Sequence, residues 1–232
     1  MPSASSRDDH ARSETRQRLL EAAGEVFAER GFRAATTREI CSAAGANIAA
    51  INYHFGDKER LYEEVLRHAN RYAAERNPFA EEASRTLAPS QRLNSFVSWY
   101  LTRILGEERP AWQGKLMVRA LQEPTRSLEA LAQSEFKPLN EALESLCREI
   151  MGAEATIEEA RLAARGVIGQ CFLYSYAKPV MTLLYPEERY LPEDIRRLAH
   201  LITEFSLGGM ARLAAGRGAR PTAVTRAENS RR

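Results

Sequence analysis

Glu64 and His68 stand four residues apart, the spacing that brings a carboxylate and an imidazole onto one helix face, where they could hold a metal. No further ligand lies close by, and the four histidines, His10, His54, His68 and His200, show no HxxxH spacing, so this reads as a solvated pair. Cys41, Cys147 and Cys171 are far apart and make no CxxC pair. So odd and sparse a set fits a reducing cytosol and argues against a disulfide framework or a zinc site. Cys171, Tyr174, Tyr176 and His200 are the remaining groups from which an enzyme could be built. With no Gly-rich phosphate loop, no carboxylate–His metal set and no recognisable Cys/His pair, the sequence predicts no catalytic residue, no metal and no cofactor.

The informative segment is Thr36–Lys58, TTREICSAAGANIAAINYHFGDK. Two short helical stretches joined at Gly45 fit a helix-turn-helix. Thr36 precedes Glu39 by three residues, a capping-box start. Asn47 can cap the next helix, and Gly56-Asp57 breaks it and opens another. On the second helix Ala46, Ile51 and Phe55 can face the other helices, while Ala49, Ala50, Tyr53 and His54 lie on the opposite side. Small residues there let a backbone approach a groove floor, and a Tyr, a His and a following Lys suit phosphate oxygens. The plainer reading is a structural three-helix module with an aromatic patch.

The elements that hold this segment are helical throughout. Residues 1–11 read as a disordered arm. From Ser13, Leu19, Ala22, Ala23, Val26 and Phe27 follow the amphipathic period, and Gly31 suits a left-handed helix end. Short helices over 37–44 and 47–54 precede one that starts at Asp57, and a boundary falls between 75 and 76. Longer helices follow over about 91–105, 111–123, 127–151 with a kink at Pro138, 157–177 and 193–213. Residues 216–232 read as a disordered basic tail. The 33 basic and 31 acidic residues give a net charge of +2, which excludes a polycation. Any nucleic-acid binding must therefore come from a local surface. No run of 18 apolar residues exists, and the polar N-terminus lacks an apolar signal core, so a cytoplasmic protein without a membrane span is expected.

Arg18–Phe55 resembles the N-terminal domain of TetR/AcrR-type transcriptional regulators. The resemblance rests on F-x-E-R-G-F at Phe27–Phe32, T-T-R-E-I from Thr36, A-G-A at Ala44–Ala46, Y-H-F at Tyr53–Phe55 and K-E-x-L at Lys58–Leu61. Asn52 stands where many relatives carry Tyr. It can pair with adenine N6/N7 or hold a phosphate. The rest is similar to the subgroup with a CerR-type C-terminal domain, through RALQEPT at Arg119–Thr125, VIGQC at Val167–Cys171, Tyr174, AKPV at Ala177–Val180 and NIAAIN at Asn47–Asn52.

The resemblance implies an all-α protein: a three-helix helix-turn-helix DNA-binding domain with its connecting helix (12–75), then a helical effector-binding and dimerisation bundle (76–215). It implies a homodimer on a palindromic double-stranded operator, released by a small-molecule effector. Thr37 and Arg38 would touch phosphate, or serve as cap and solvated charge. Ala49, Ala50 and Asn52 would face base edges, and Ile48 a thymine methyl or the core. Tyr53, His54 and Lys58 would hold the DNA backbone, with His54 alternatively a core histidine. An N-terminal arm with Arg7, Arg12 and Arg16 could reach DNA, offset by Asp8, Asp9 and Glu14.

Effector-pocket candidates are Phe96, Trp99, Tyr100, Trp112, Leu116, Met117, Leu121, Phe136, Gln170, Phe172, Tyr174 and Met181, each of which also reads as plain core. Arg119 and Glu123 would contact a polar effector group or form a structural ion pair. Gly166 and Gly169 would let the helix over 157–177 pack closely in a dimeric four-helix bundle, with Leu198, Leu201, Ile202, Phe205 and Leu207 as its apolar surface. The competing readings are a helical protein-interaction module without DNA binding and a small helical enzyme.

Overall fold

The computed structural model describes residues 4–76, 86–106, 110–123 and 125–217, and every regular element among them is helical. The first, α1 (Ala4–Ala34), already includes residues 4–11, expected to be a disordered arm. No Gly or Pro interrupts the chain between Ser3 and Ala23, so no helix breaker opposes it. Regular helix breaks at Gly31, whose φ of 77° favours glycine while its ψ of 167° is extended rather than left-handed helical.

Three further helices follow: α2 (Thr37–Ala44), α3 (Ile48–Phe55) and α4 (Lys58–Arg76). Their shared core is formed by Leu19, Ala23 and Phe27 from α1, Ile40 and Cys41 from α2, Ile51 and Phe55 from α3, and Leu61, Tyr62, Val65 and Leu66 from α4. Phe27 meets Tyr62 edge-on with ring centroids 4.9 Å apart.

The second part comprises α5 (Pro89–Leu105), α6 (Ala111–Gln122), α7 (Arg126–Leu131), a π-helical turn (Ala132–Phe136), α8 (Lys137–Met151), α9 (Ile157–Tyr176), α10 (Lys178–Leu184) and α11 (Pro192–Arg217). The kink expected at Pro138 is a widened turn just before it. Proline has no N–H to donate and its ring crowds the carbonyl four residues back, so the preceding turn relaxes to a wider spacing. The helix expected over about 157–177 ends at Tyr176, and Pro179 lies in the first turn of α10, where its missing N–H costs nothing. A second core gathers Leu93, Val97 and Leu101 of α5, Leu143 and Cys147 of α8, Val167 and Cys171 of α9, and Ile195 and Ala199 of α11.

Sequence order and core membership do not divide the chain at the same point. Leu116 and Ala120 of α6 and Leu131 of α7 are buried in the first core, so α6 and α7 return to the head. The expected tail is helical at 216–217, and 218–232 lie outside the described residues, as do 77–85 at the expected boundary. Among the described residues no helix is long and apolar enough to cross a membrane.

Candidate nucleic-acid interface and the cavity behind it

Local chemistry fixes α2 and α3. Thr36 Oγ1 accepts from the Glu39 N–H (3.2 Å), while Glu39 Oε2 accepts from the Thr36 N–H (3.0 Å), completing the capping box. Gly45 turns in the left-handed region (φ 60°), and the Ala46 N–H returns to Cys41 O at 2.9 Å. Asn47 Oδ1 accepts from the Ala49 N–H at 3.1 Å, and the Cys41 thiol donates to Asn47 O at 3.5 Å, tying the turn to α2. Asp57 Oδ1 accepts from the Arg60 N–H at 2.7 Å and opens α4. A helix as short as α3 has little stability of its own, so caps and the burial of Ile51 and Phe55 hold it.

With those two residues inward, Ile48, Ala49, Asn52 and Tyr53 form the exposed stripe at i, i+1, i+4, i+5, and Tyr53 is 66% exposed. A helix of this kind, small residues flanked by Asn and Tyr, can enter a major groove. Ala50 departs from the expectation. It is half-buried against the first core, because its position lies only one residue from the inward Ile51. Ile48 is 46% exposed and so stands off the core. Thr37 is half-buried and Arg38 exposed at the start of α2, ahead of the first intrahelical bond from Ile40 N–H to Thr36 O. Their N–H groups precede that bond and lie at the positive end of the helix.

Two expected phosphate contacts have structural partners as well. Lys58 Nζ donates to Ala35 O at 2.8 Å and lies 4.7 Å from the Phe32 ring, so it closes the corner after α1. His54 is half-buried edge-on to Tyr53. Burial first, then the cations of Arg16 and Arg12, hold it below the ordinary imidazole value of 6.5. Arg12 lies 5.9 Å from the Tyr53 ring centroid and Arg16 5.0 Å from that of Phe55, with Arg16 also paired to Glu64 at 3.0 Å. The N-terminal end of α1 is thus fastened beside α3.

Behind the head, α6 has two working faces. One packs on α1: a Cβ at Gly24 would stand 2.5 Å from the Trp112 ring, and one at Gly31 2.6 Å from Arg119 Nε. Arg119 Nη1 donates to Glu29 O at 3.1 Å, and Arg119 pairs with Glu123 at 3.2 Å. The other face, Gly114, Met117, Val118 and Leu121, lines a cavity of about 290 Å3 together with groups from α4, α5, α8, α9 and the π turn.

Of the expected pocket residues, Tyr100, Met117, Leu121, Phe136 and Phe172 line this cavity. The others do not. Phe96 and Trp99 are buried in the second core, and Leu116 is buried in the first with Trp112 packed against it. Gln170 Nε2 donates to Ser206 Oγ at 3.1 Å, joining α9 to α11, and Tyr174 packs edge-on against Tyr190. Arg119 borders an adjoining open groove with Lys115 and Lys178, which shares Ile104, Gly114, Val118 and Ser175 with the cavity. Asn70, Arg103 and Asn140 line the cavity without having been expected there, because single polar residues in amphipathic helices carry no periodic signal.

The chain's similarities follow the same division. Residues 19–65 match the family model described as bacterial regulatory proteins, tetR family. Residues 89–210, more than half the chain, match the C-terminal domain of the HTH-type transcriptional dual regulator CecR. CecR of Shigella flexneri is 29% identical over 178 residues, 73% of this chain and 79% of that protein. The transcriptional repressor KstR2 of Rhodococcus jostii is 43% identical over 60 residues, 26% of this chain and 29% of its own length. Among solved structures, FadR of Bacillus subtilis in complex with stearoyl-CoA aligns with TM-score 0.61 at 16% identity, covering 83% of this chain and 98% of that one. AibR in complex with isovaleryl coenzyme A and operator DNA aligns with TM-score 0.59 at 16% identity, covering 81% and 96%. With its head and more than half its length accounted for by these two family models, the chain belongs to the TetR family of DNA-binding transcriptional regulators, in the group with a CecR-type C-terminal domain.

Proposed function

We propose that the chain is a homodimeric repressor that reads a pseudo-palindromic operator through α3 and releases it when a small molecule fills the cavity beside α6. The observation that carries this reading is the double role of α6. A ligand against Met117, Val118 and Leu121 pushes on a helix whose opposite face is wedged against Gly24 and Gly31 of α1. Movement of α6 is then movement of α1, and α1 shares a core with α2 and α3. The repressor direction is supported by the relatives KstR2 and AcnR, both named repressors, while CecR is named a dual regulator.

Dimerisation is supported by an uncovered apolar face. Leu162 and Leu173 of α9 and Leu201, Phe205 and Leu213 of α11 are exposed, and Gly166, Gly169, Gly208 and Gly209 on the same helices have open space beside them. Small residues between large apolar ones let a second pair of helices approach closely, giving the four-helix packing of a symmetric dimer. Ile202, expected at this interface, is buried in its own subunit's core, and Leu198 is half-buried against it. They support the α11 face from behind.

On DNA, Ala49 and Asn52 would face base edges, Ile48 would meet a thymine methyl, and Thr37, Arg38, Tyr53 and His54 would hold phosphates. Half-sites would then be about one helical turn, 34–36 Å, apart. The test is binding of the region upstream of the protein's own gene, and of random DNA, across a salt series. Asn52→Ala is expected to cost about 1–3 kcal/mol on the operator and almost nothing on random DNA. Equal losses on both DNAs would assign Asn52 to the backbone. No preference for the upstream region over random DNA would sink operator recognition there.

A further inference from the structure

Most of the lining of the 290 Å3 cavity is apolar, with Ile104, Met117, Leu121, Phe136, Leu139 and Phe172 its larger side chains. Arg103 is the charged residue among that lining. Its guanidinium donates to Asn70 O at 3.3 Å and to Asn70 Oδ1, and lies 5.4 Å from the Trp99 ring. Asn70, 5% exposed, passes its own Nδ2 on to Glu135 Oε2 at 3.2 Å. Glu135 is exposed, lies outside the lining and makes no direct ion pair with Arg103 among the described residues. Burial lowers the Arg103 pKa from its ordinary value, opposed by Tyr100 and Glu135, yet an arginine stays protonated at neutral pH. A charged fork among apolar walls, held by a neutral amide and an indole ring and reached by the Glu135 carboxylate only through Asn70, has no anion in direct contact among the described residues and gains from one that joins it. The other polar groups of the lining, Tyr100, Asn140 and Ser175, are neutral, and burial pushes the Tyr100 hydroxyl up to about 12, so it remains a donor.

We infer that the ligand of this cavity is an amphipathic carboxylate, its carboxylate on Arg103 and its apolar body against Met117, Leu121, Phe136 and Phe172. The inference rests on the reading of this cavity as the effector site and adds the chemical class of the effector. A planar guanidinium suits a carboxylate, which can take two parallel N–H bonds. The volume lies at the small end of ligand pockets, which fits a body of one or two rings.

The experiment uses two probes of nearly equal shape, 1-naphthaleneacetate and its neutral amide, 1-naphthaleneacetamide. Binding to the full chain is followed by calorimetry, and operator affinity is measured with each probe present. The acid is expected to bind wild type at least about tenfold more tightly than the amide. In Arg103→Leu the acid should lose that advantage while the amide binds as before, which also reports an intact cavity. Arg103→Lys should retain part of it, because the charge remains without the fork.

Equal binding of the two probes, or no binding of either, overturns the inference. So does a preference for the acid that survives in Arg103→Leu. If Arg103→Leu does not fold, the wild-type comparison decides. Failure of the underlying reading looks different. An acid that binds through Arg103 without changing operator affinity leaves the ligand class standing and removes the effector role. An amide that releases the operator where the acid does not keeps the effector role and removes the ligand class.

Discussion

In the head, α2, α3 and α4 are each capped at the N-terminal end by a local side chain, Thr36 with Glu39, Asn47, and Asp57, and α2 and α3 are closed at the other end by glycine turns. Its core is continuous from α1 to α4, and the exposed stripe of α3 is narrow and polar at Asn52 and Tyr53. The half behind it is closed less completely. It holds a cavity with a cation in its lining, a π turn, and an apolar face on α9 and α11 that its own chain leaves in the open. The contrast matches the two tasks proposed for the two parts. A reading helix must be presented in one geometry, whereas a ligand site must open and a dimer face must await its partner. The join between them is α6, which belongs to both.

The largest expected effect comes from putting a charge in the open face. Phe205 is 74% exposed, one helical turn from Leu201. Wild type is expected to be a dimer at micromolar concentration by light scattering. Phe205→Glu should be monomeric with unchanged helicity, and its operator affinity should fall at least about a hundredfold, because two linked half-site contacts become one. A monomeric wild type would break the contrast at once, since the apolar face would then need another explanation.

Two glycines sharpen it next. Gly24→Ala drives a Cβ to 2.5 Å from the Trp112 ring, a bulky group held in the first core, whereas a Cβ at Gly169 meets nothing within 4 Å in the isolated subunit. In urea denaturation Gly24→Ala should cost about 1–3 kcal/mol. In the monomeric Phe205→Glu background Gly169→Ala should gain up to about 1 kcal/mol from reduced chain entropy. If Gly24→Ala is the milder change, α6 is not wedged against α1 and the join described above is loose.

The same contrast explains what could be read from the residues alone. The head was legible because its signals are local: a hydroxyl three residues before a carboxylate, glycines at both turns, and Ile51 and Phe55 at helical spacing. The bundle was legible as helices but not face by face. Leu201 and Ile202 differ by one position, about 100° of rotation, and both are apolar, yet the first is exposed and the second buried. Trp112 and Leu116 looked like pocket residues for the same reason, since α6 is apolar on the side it gives the head and on the side it gives the cavity. The helical start at Ala4 has no apolar period at all, and its contact from Arg12 to Tyr53 joins residues far apart in sequence. Arg103 looked like any surface arginine until α4 and the π turn enclosed it.

A smaller effect is expected at Gln113 of α6. It is fully buried, and neither its Nε2 nor its Oε1 has a hydrogen-bond partner among the described residues. Removing an unanswered amide while keeping the volume should be neutral to stabilising, so Gln113→Met is expected to raise stability by about 1 kcal/mol in thermal unfolding. A loss of that size would mean the amide is answered by water, and α6 would be held from inside as well as by its two faces.

The smallest effect tests how firmly α3 is held against its surroundings. His54 is kept below 6.5 by burial and by Arg16 and Arg12, so the native state resists a proton that the unfolded chain accepts. The sign follows: the contribution to stability is present above pH 6.5 and is lost as pH falls through the lowered native value. On operator DNA a phosphate near the ring would favour imidazolium, so His54 should titrate higher in the complex than in the free protein, and binding should tighten modestly between pH 7 and about 5.5 at fixed salt. A ring titration by NMR with and without operator separates the outcomes. A value that rises on binding gives His54 a phosphate. An unmoved value leaves it an aromatic support for Tyr53, and the backbone contacts of α3 then fall to Tyr53 and the N-terminal turn of α2.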